Sequence, residues 1–327
     1  MPFMAINSTQ QANSPHVTLG GANEKNITIR IRTITDFILS LPRLLSGVTI
    51  NDLIKRAAYP LTLAGKSLTA YALEQGLGSP EVTTVIEKTY REDLKAMGGN
   101  EVIFSMPGNP KLEGMFFEGN PLKKPNHKTI LLCTGSHHSF EYYAVPMVQA
   151  FLDMGHRVMT FNYEGFGASE GEISEKNVYR STEAAYQYLK EIKKCDDKSL
   201  IGWGYSLGSG AVTELATKHP INIVIDRGFS SMSTVAATEA PKLLKTAAKV
   251  LFITCAHFDN ERKLQFVKGN IFIAQGDEDP MTEELHGHRL AAAGGKNAFY
   301  AKVSSAHANA ETCWFAGNLL IKDFLER

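Results

Sequence analysis

The sequence predicts an α/β fold, in which a mostly parallel, doubly wound sheet carries helices on both of its faces. Two observations predict it. From about residue 129 onward, short apolar runs alternate with segments whose apolar residues recur at helical spacing. Between residues 101 and 119, two strand-like runs flank the turn PGNP, which is typical of a β-hairpin. The hairpin is therefore expected to add an antiparallel edge at the N-terminal side of the sheet.

The alternation predicts each element in order along the chain. Strands are predicted over 101–106, 111–119, 129–135, 157–163, 199–205, 222–226, 270–277 and 298–304. Helices are predicted over 141–154, 174–194, 207–218, 282–293 and 309–326. The connection between the strands at 222–226 and 270–277 is longer than one crossover helix requires. Its residues 232–268 are predicted to form a small lid, with an ordinary pair of surface helices as the alternative.

The first part of the chain has a different composition and is predicted to be an extension. Residues 1–95 form this extension, and residues 96–327 form the α/β domain. Residues 1–26 are polar and expected to be mobile, whereas apolar residues recur at helical spacing over 33–77 and are interrupted by two prolines. An apolar stripe of this kind is expected to pack on a domain; contact with a membrane surface or a partner groove is the alternative.

The overall composition excludes some classes of partner. Lys plus Arg and Asp plus Glu number 34 each, so no basic surplus supports nucleic-acid binding. The four cysteines are scattered without CxxC spacing, which favours a reducing compartment over a disulfide framework. The N-terminus lacks the basic start and apolar stretch of a signal peptide, which predicts a cytoplasmic protein. Oligomeric state is left open.

Two stretches, GASEG at 167–171 and GYSLG at 204–208, both match Gly-x-Ser-x-Gly. A nucleophilic serine of this pattern lies on a sharp turn from a strand into a helix, where flanking glycines let the two approach. GYSLG fits, because the apolar run SLIGW precedes it and a helical segment follows. GASEG follows a strand only after a gap and precedes polar sequence, so it is interpreted as a loop. Ser206 is therefore preferred to Ser169 as a nucleophile.

A serine nucleophile requires a base and an orienting carboxylate. In parallel-sheet hydrolases these follow in the order Ser, acid, His. His307 follows the last predicted strand, and Asp277 and Asp279 follow the strand before it. Asp279 is preferred because Asp277 lies closer to its strand. Asp226, at the end of another strand, is a third candidate for the acid.

The tetrahedral intermediate of acyl transfer requires two backbone N–H donors. Leu207, which follows the candidate nucleophile, is predicted to supply one of them. The other is predicted to come from Ser136, in the loop after the strand at 129–135. His137 and His138 are interpreted as exposed loop residues, with a place in the pocket wall as the alternative.

A metal site is not predicted. His286 and His288 have the spacing of some metal ligands, but they lie in a predicted surface helix and no third ligand is suggested. No cofactor-binding motif is found either, so the candidate site is expected to act without a cofactor.

The motifs together resemble the α/β-hydrolase superfamily of serine hydrolases over about residues 100–327. The resemblance is carried by TILLCTG (129–135), NYEGFGASEG (162–171), GYSLGSG (204–210), GDEDP (276–280) and AH (306–307). With these, DRGFSSMSTVA (226–236) is similar to a poorly characterised branch found in Chlamydia and in effector proteins of Legionella and similar bacteria. One departure is Thr134–Gly135, where many superfamily members have His-Gly; the turn glycine is kept.

The resemblance implies a triad of Ser206, Asp279 and His307, with Ser136 and Leu207 at the oxyanion hole. It also implies that Ser169 lies in a structural loop near the pocket. The leading hypothesis is an esterase or lipase-like enzyme acting on acylglycerols, lysolipids or acyl thioesters. A serine peptidase, and a non-catalytic interaction or membrane-docking protein, are the alternatives. The same resemblance raises delivery into a host cell as an alternative to a cytoplasmic site of action.

Overall fold

The computed structural model describes residues 16–19, 27–30, 80–119, 128–136, 139–239, 243, 245–255, 257–307, 315 and 318–326. The helices predicted between residues 33 and 77 lie outside these residues. So does most of the first half of the helix predicted over 309–326.

Strands and helices alternate along the described chain much as the sequence predicts. The strands are β1 (His16–Leu19), β2 (Ile27–Arg30), β3 (Asn100–Phe104), β4 (Leu112–Phe117), β5 (Thr129–Cys133), β6 (Arg157–Phe161), β7 (Leu200–Tyr205), β8 (Asn222–Asp226), β9 (Ile271–Gly276) and β10 (Ala298–Val303). The helices are α1 (Pro80–Ala96), α2 (Phe140–Asp153), α3 (Glu175–Glu191), α4 (Leu207–Lys218), α5 (Met232–Glu239), α6 (Lys245–Cys255), α7 (Asn260–Leu264), α8 (Glu284–Gly294) and α9 (Leu319–Glu326), with a 3₁₀ turn at Gly295–Asn297.

Eight of the described strands form one sheet in the order β10-β9-β8-β7-β5-β6-β4-β3. Strands β5 to β10 are parallel to one another, whereas β3 pairs antiparallel with β4 and β4 pairs antiparallel with β6. The structure therefore confirms the predicted mostly parallel sheet with an antiparallel N-terminal edge. The antiparallel hairpin extends the sheet without a crossover helix, because a tight turn suffices for antiparallel neighbours.

The sheet separates two hydrophobic cores, and successive residues of each strand point into opposite ones. In β7, Leu200 belongs to one core, whereas Ile201 and Trp203 belong to the other. Every residue of β5, β7 and β9 is buried, as expected for strands that are covered by helices on both faces. The register between β5 and β7 places Leu132 opposite Trp203 and Leu131 opposite Gly202.

Helix α1 crosses the predicted boundary between residues 95 and 96. Leu94, in its last turns, is fully buried in the core of the sheet domain. Arg91 forms ion pairs with Glu113 at 2.9 Å and with Glu141, both of which are almost fully buried. These contacts attach α1 to β4 and to the start of α2.

Strands β1 and β2 form a separate two-stranded antiparallel ladder, with His16 opposite Arg30 and Leu19 opposite Ile27. The sequence prediction for residues 1–26 was a mobile polar segment, so this ladder was not predicted. Its residues are rich in Val, Ile and Thr, which favour extended backbone, although the surrounding sequence is polar.

The segment predicted as a lid contains α5, α6 and α7. Phe252 and Phe258 from this segment are buried in the core, whereas Val250 and Ile253 of α6 are exposed. The segment therefore has an inner face that packs on the domain and an apolar outer face; its movement as a lid stays a prediction. Within the described part of the chain, no helix has the length and apolar character that crossing a membrane would need.

The order of the strands determines where a site can form. Strand β5 lies between β6 and β7, so the chain leaves β5 to one side and returns on its other side. Loops at the carboxyl ends of strands diverge at such a switch point and leave a crevice between them. The loops that follow β5 and β7 carry Gly135 and Ser206 respectively.

Candidate active site

Ser206 lies at the sharp turn where β7 ends and α4 begins. Its backbone has φ 50° and ψ −114°, a left-handed conformation that is unfavourable for a residue with a Cβ atom. The Ser206 N–H donates to the carbonyl of Asp226 at 3.1 Å, which holds the turn against the end of β8. The side chain is partly exposed. The local sequence thus folds into the strand–turn–helix geometry predicted for GYSLG.

Two glycines make this turn possible. A Cβ atom on Gly204 would lie 2.5 Å from the carbonyl carbon of Gly208, and one on Gly208 would lie 2.6 Å from the carbonyl carbon of Cys133. Both distances are shorter than a Cβ atom tolerates, and the obstructing atoms are backbone. Helix α4 therefore packs directly on β7 and β5, with no room for a larger residue.

His307 lies just after β10, and its side chain reaches Ser206. The Oγ of Ser206 is 3.0 Å from Nε2 of His307. The His307 side chain is 9% exposed, so it is largely shielded while its Nε2 faces the hydroxyl. With Nε2 as acceptor, the ring carries its proton on Nδ1, an assignment that follows from the hydrogen bonds on both sides of the ring.

Asp279 lies on the opposite side of the imidazole. Its Oδ2 is 2.7 Å from Nδ1 of His307. Its Oδ1 accepts hydrogen bonds from the backbone N–H groups of Met281 at 2.9 Å and Thr282 at 2.8 Å. Although burial by itself raises the pKa of this carboxyl group, the hydrogen bonds from His307 and Thr282 outweigh it, and the pKa of Asp279 lies below its ordinary value. The carboxylate is therefore ionised at neutral pH.

Thr282 is a contributor that the sequence reasoning missed. Its Oγ1 lies 2.7 Å from Oδ2 of Asp279 and 3.3 Å from Nδ1 of His307. The spacing in DPMT contained a usable signal, because an Asp side chain commonly accepts hydrogen bonds from backbone and side-chain donors a few residues downstream. The turn thus holds the Asp279 carboxylate by three donors beside the one from His307.

The loop after β5 passes directly beside Ser206. A Cβ atom on Gly135 would lie 3.0 Å from the Tyr205 ring and 3.5 Å from Cβ of Ser206. Ser136, the predicted donor, follows in this loop and is partly buried. Leu207 is the first residue of α4, and the N–H of a first helical residue has no partner within its own helix. Leu207 thus directly follows Ser206, and Ser136 directly follows Gly135, whose backbone lies beside Ser206; the role of both residues as donors stays a prediction.

The side chains of the other candidates from the sequence have different partners. Asp277 is exposed, and its Oδ1 accepts the Ser305 N–H at 3.1 Å. Asp226 is fully buried and pairs with Arg227. Ser169 is also fully buried: its hydroxyl donates to the carbonyl of Asn162 at 2.8 Å. The loop with the second Gly-x-Ser-x-Gly pattern thus folds on itself and does not present its serine to solvent.

The histidines considered as metal ligands do not lie together. His286 is buried, contrary to the predicted surface position, and its Nδ1 accepts the Ser230 N–H at 3.1 Å. Burial lowers the pKa of His286, so the ring stays neutral as an acceptor. His288 is exposed and faces Glu284. No group of three potential ligands occurs within the described residues, and His137 and His138 lie outside them.

Comparison with known proteins gives a family and several relatives. A family model described as Chlamydia CHLPS protein (DUF818) matches residues 121–290. An uncharacterized protein of Mycobacterium tuberculosis is 23% identical over 212 residues, which cover 64% of this chain and 73% of that protein. Lysophosphatidylserine lipase ABHD12 of Danio rerio is 34% identical over 84 residues, which cover 26% of this chain and 20% of that protein. The similarity to that lipase is thus confined to a short part of both chains.

Among solved structures, an α/β hydrolase from Vibrio vulnificus has a similar fold. The TM-score is 0.64 at 19% sequence identity, and the alignment covers 86% of this chain and 93% of that one. At this identity the similarity establishes the fold and not the activity. The fold and the family match thus agree with the resemblance carried by the sequence motifs.

Proposed function

The chain belongs to the Chlamydia CHLPS protein (DUF818) family and to the α/β-hydrolase superfamily, and on that premise we propose that it is a serine hydrolase of carboxylic esters. The observation that supports the proposal is the line of hydrogen bonds from Ser206 through His307 to Asp279. A strained, partly exposed serine beside a shielded imidazole is an arrangement suited to nucleophilic attack on a carbonyl carbon.

Acylation follows from this geometry. The Oγ of Ser206 attacks the ester carbonyl carbon while its proton moves to Nε2 of His307. Negative charge then develops on the carbonyl oxygen, and the N–H groups of Leu207 and Ser136 stabilise it. When the tetrahedral intermediate collapses, the C–O bond to the alcohol breaks and His307 gives its proton to the leaving oxygen. The acyl group stays on Ser206.

Deacylation repeats the sequence with water as the nucleophile. His307 takes a proton from the water, the hydroxyl attacks the acyl carbon, and the proton returns to Oγ as the acid leaves. Asp279 stays ionised throughout, because its pKa lies below its ordinary value. Its charge stabilises the imidazolium that forms in both steps, and its hydrogen bond keeps the proton on Nδ1.

The substrate proposed is an ester with an apolar acyl group, such as an acylglycerol, a lysolipid or an acyl thioester. Support comes from the short segment shared with a lysophosphatidylserine lipase and from exposed apolar side chains beside Asp279 and on the segment predicted as a lid. Met281, two residues beyond Asp279, is exposed, as are Val250 and Ile253 on α6. These side chains suit contact with an acyl chain better than with a charged substrate.

Labelling of the purified protein with a fluorophosphonate probe, followed by peptide mapping, tests the nucleophile. The label is expected on Ser206, and Ser206→Ala is expected to abolish labelling and to lower kcat by about 10⁶-fold. Ser169→Ala is the matched control, since Ser169 occupies the same sequence pattern but is buried. It should keep its labelling rate. Full esterase activity of Ser206→Ala would contradict the proposal.

A second assay separates the ester proposal from the alternatives. The protein is offered p-nitrophenyl esters of increasing acyl length alongside aminoacyl p-nitroanilides. Hydrolysis of the esters, increasing with acyl length, supports the proposal. Preference for the anilides would assign a peptidase, and no turnover of either together with no probe labelling would assign a non-catalytic protein.

A further inference from the structure

We infer that Arg227 is a positioning residue that holds the His307 loop in the orientation required for contact with Ser206. The inference rests on the proposed function, since it concerns the base of that reaction. Arg227 acts through the side chain of Ser305 and the backbone of Ala306, which directly precede His307.

Arg227 is an arginine in a place where arginine is costly. It is 1% exposed, and its backbone has φ 48°, in the left-handed region. Its charge is balanced by the neighbouring Asp226, with Nε to Oδ1 at 2.9 Å and Nη2 to Oδ2 at 3.2 Å. Asp226 is itself fully buried and also accepts from Nε1 of Trp203 at 3.3 Å. A buried ion pair of this kind requires its other hydrogen-bonding groups to be satisfied, and it is weak evidence for stability alone.

The Nη1 donors of the guanidinium point at the His307 loop. Nη1 of Arg227 donates to Oγ of Ser305 at 3.0 Å and to the carbonyl of Ala306 at 3.2 Å. The hydroxyl of Tyr205 donates to the carbonyl of His307 itself. Three consecutive residues of the loop are thus held by side chains that come from the ends of β7 and β8. A loop that is held at three consecutive residues leaves the imidazole few orientations.

A stacked aromatic pair keeps the two donors together. The rings of Tyr143 and Tyr205 stack at 4.3 Å, and the guanidinium of Arg227 lies 4.7 Å from the Tyr205 ring centroid. Nη2 of Arg227 is also 3.3 Å from the hydroxyl of Tyr143. Planar guanidinium and aromatic faces stack well, which a lysine at this position would not reproduce.

The same short segment contacts the other members of the site. The carbonyl of Asp226 accepts the Ser206 N–H, and the carbonyl of Arg227 lies 3.2 Å from Oγ1 of Thr282, which contacts Asp279. Residues 226–227 therefore contact three parts of the proposed site: the turn at Ser206, the turn that carries Asp279, and the loop that carries His307. This placement explains why a charged pair occupies a position that an apolar pair of similar size would fill at lower cost.

The inference is tested with Arg227→Met, Arg227→Lys and the charge-neutral pair Asp226→Asn with Arg227→Met. Arg180→Met is the matched control, because Arg180 forms a similar two-point pair with the buried Glu164 on another loop. Each variant is measured for kcat and KM on a p-nitrophenyl ester, and for the downfield NMR resonance of the His307 Nδ1 proton. Folding is checked by thermal denaturation.

Loss of Arg227 is expected to lower kcat by about 10²-fold with little change in KM, since a misplaced base slows proton transfer without removing substrate contacts. The downfield resonance should broaden or shift in the same variants. Arg227→Lys should restore part of kcat, and Arg180→Met should change neither. A folded Arg227→Met protein with normal kcat and an unchanged resonance would overturn the inference.

Two milder variants keep the test decisive if the Arg227 variants do not fold. Ser305→Ala and Tyr205→Phe each remove one contact to the loop and leave the ion pair intact. Each is expected to lower kcat several-fold, and both together are expected to lower it further; unchanged kcat and an unchanged resonance in the double variant would overturn the inference. Failure of the proposed function has a different signature, which is esterase activity that persists in Ser206→Ala. The resonance of the His307 Nδ1 proton reports the position of the ring and does not depend on turnover, so the two failures are distinguishable.

Discussion

The conformation of Ser206 makes a prediction about stability that is independent of any substrate. With φ at 50°, the residue holds a Cβ atom in a region of backbone conformation that glycine adopts freely. Ser206→Gly and Ser206→Ala both remove the hydroxyl and its hydrogen bond to His307. Any difference in stability between the two variants therefore reports the Cβ atom alone.

The size of this difference follows from two opposing terms. Strain of a non-glycine residue in this region costs about 1–3 kcal/mol, which the glycine variant avoids. Glycine in turn loses more backbone entropy on folding, which costs about 0.5–1 kcal/mol relative to alanine. Ser206→Gly is thus expected to be more stable than Ser206→Ala by about 1 kcal/mol. For a domain of this size class, that corresponds to a difference of about 2–4 °C in Tm.

The assay is thermal denaturation of the two variants, followed by circular dichroism under identical conditions. Ser169→Gly and Ser169→Ala form the matched control pair, because Ser169 is not among the described residues with positive φ. In that pair the alanine variant should be the more stable. If Ser206→Gly were less stable than Ser206→Ala by the same amount as in the control pair, the strained turn would be refuted.

Three further predictions concern the surroundings of the site. Asp279→Asn is expected to lower kcat about 10⁴-fold, because an amide favours the wrong tautomer of the base, while Asp277→Asn should change ester hydrolysis little. In Gly208→Ala the added methyl group would lie 2.6 Å from the carbonyl carbon of Cys133. This variant should be destabilised by about 1–3 kcal/mol in urea denaturation, and its kcat should fall because α4 moves. An unchanged urea midpoint would contradict the close packing of α4 on β5. Burial lowers the pKa of His286, so the folded state resists protonation of this ring and the stability of the protein should fall as pH decreases below about 6.5. The decline in Tm with falling pH should be smaller in His286→Asn. Equal declines in Tm for the two proteins would refute a buried, neutral His286.

Local sequence carried most of the fold. The strands β5, β7, β8 and β9 were predictable because each is a short apolar run bounded by turn residues. A continuous apolar run is the pattern expected of a strand that is buried on both faces. The turn at Ser206 was predictable for a related reason. The strand, the two close-packing glycines and the helix are all encoded within about a dozen consecutive residues. By contrast, the β1–β2 ladder was missed because short β-branched runs in a polar segment carry a weak signal.

Only the tertiary structure shows which carboxylate contacts His307. Asp226, Asp277 and Asp279 all follow strand ends, and the sequence ranks them only by distance from the strand. Their side-chain directions depend on turns that differ: the Asp277 carboxylate accepts the N–H of Ser305, whereas Asp279 turns toward the imidazole. The direction of each carboxylate depends on which backbone N–H groups its turn brings within hydrogen-bonding distance.

The sequence by itself determined the order of the elements, the strand-to-helix turn at Ser206 and the small set of side chains from which the proposed triad is drawn. Each of these depends on residues that are neighbours along the chain. Only the tertiary structure decided that Asp279 and His307 meet, that Ser169 and His286 are buried, and that Arg227 reaches the loop of the base. Those contacts join the ends of different strands, and their distances depend on sheet register and helix packing, which no single stretch of sequence encodes.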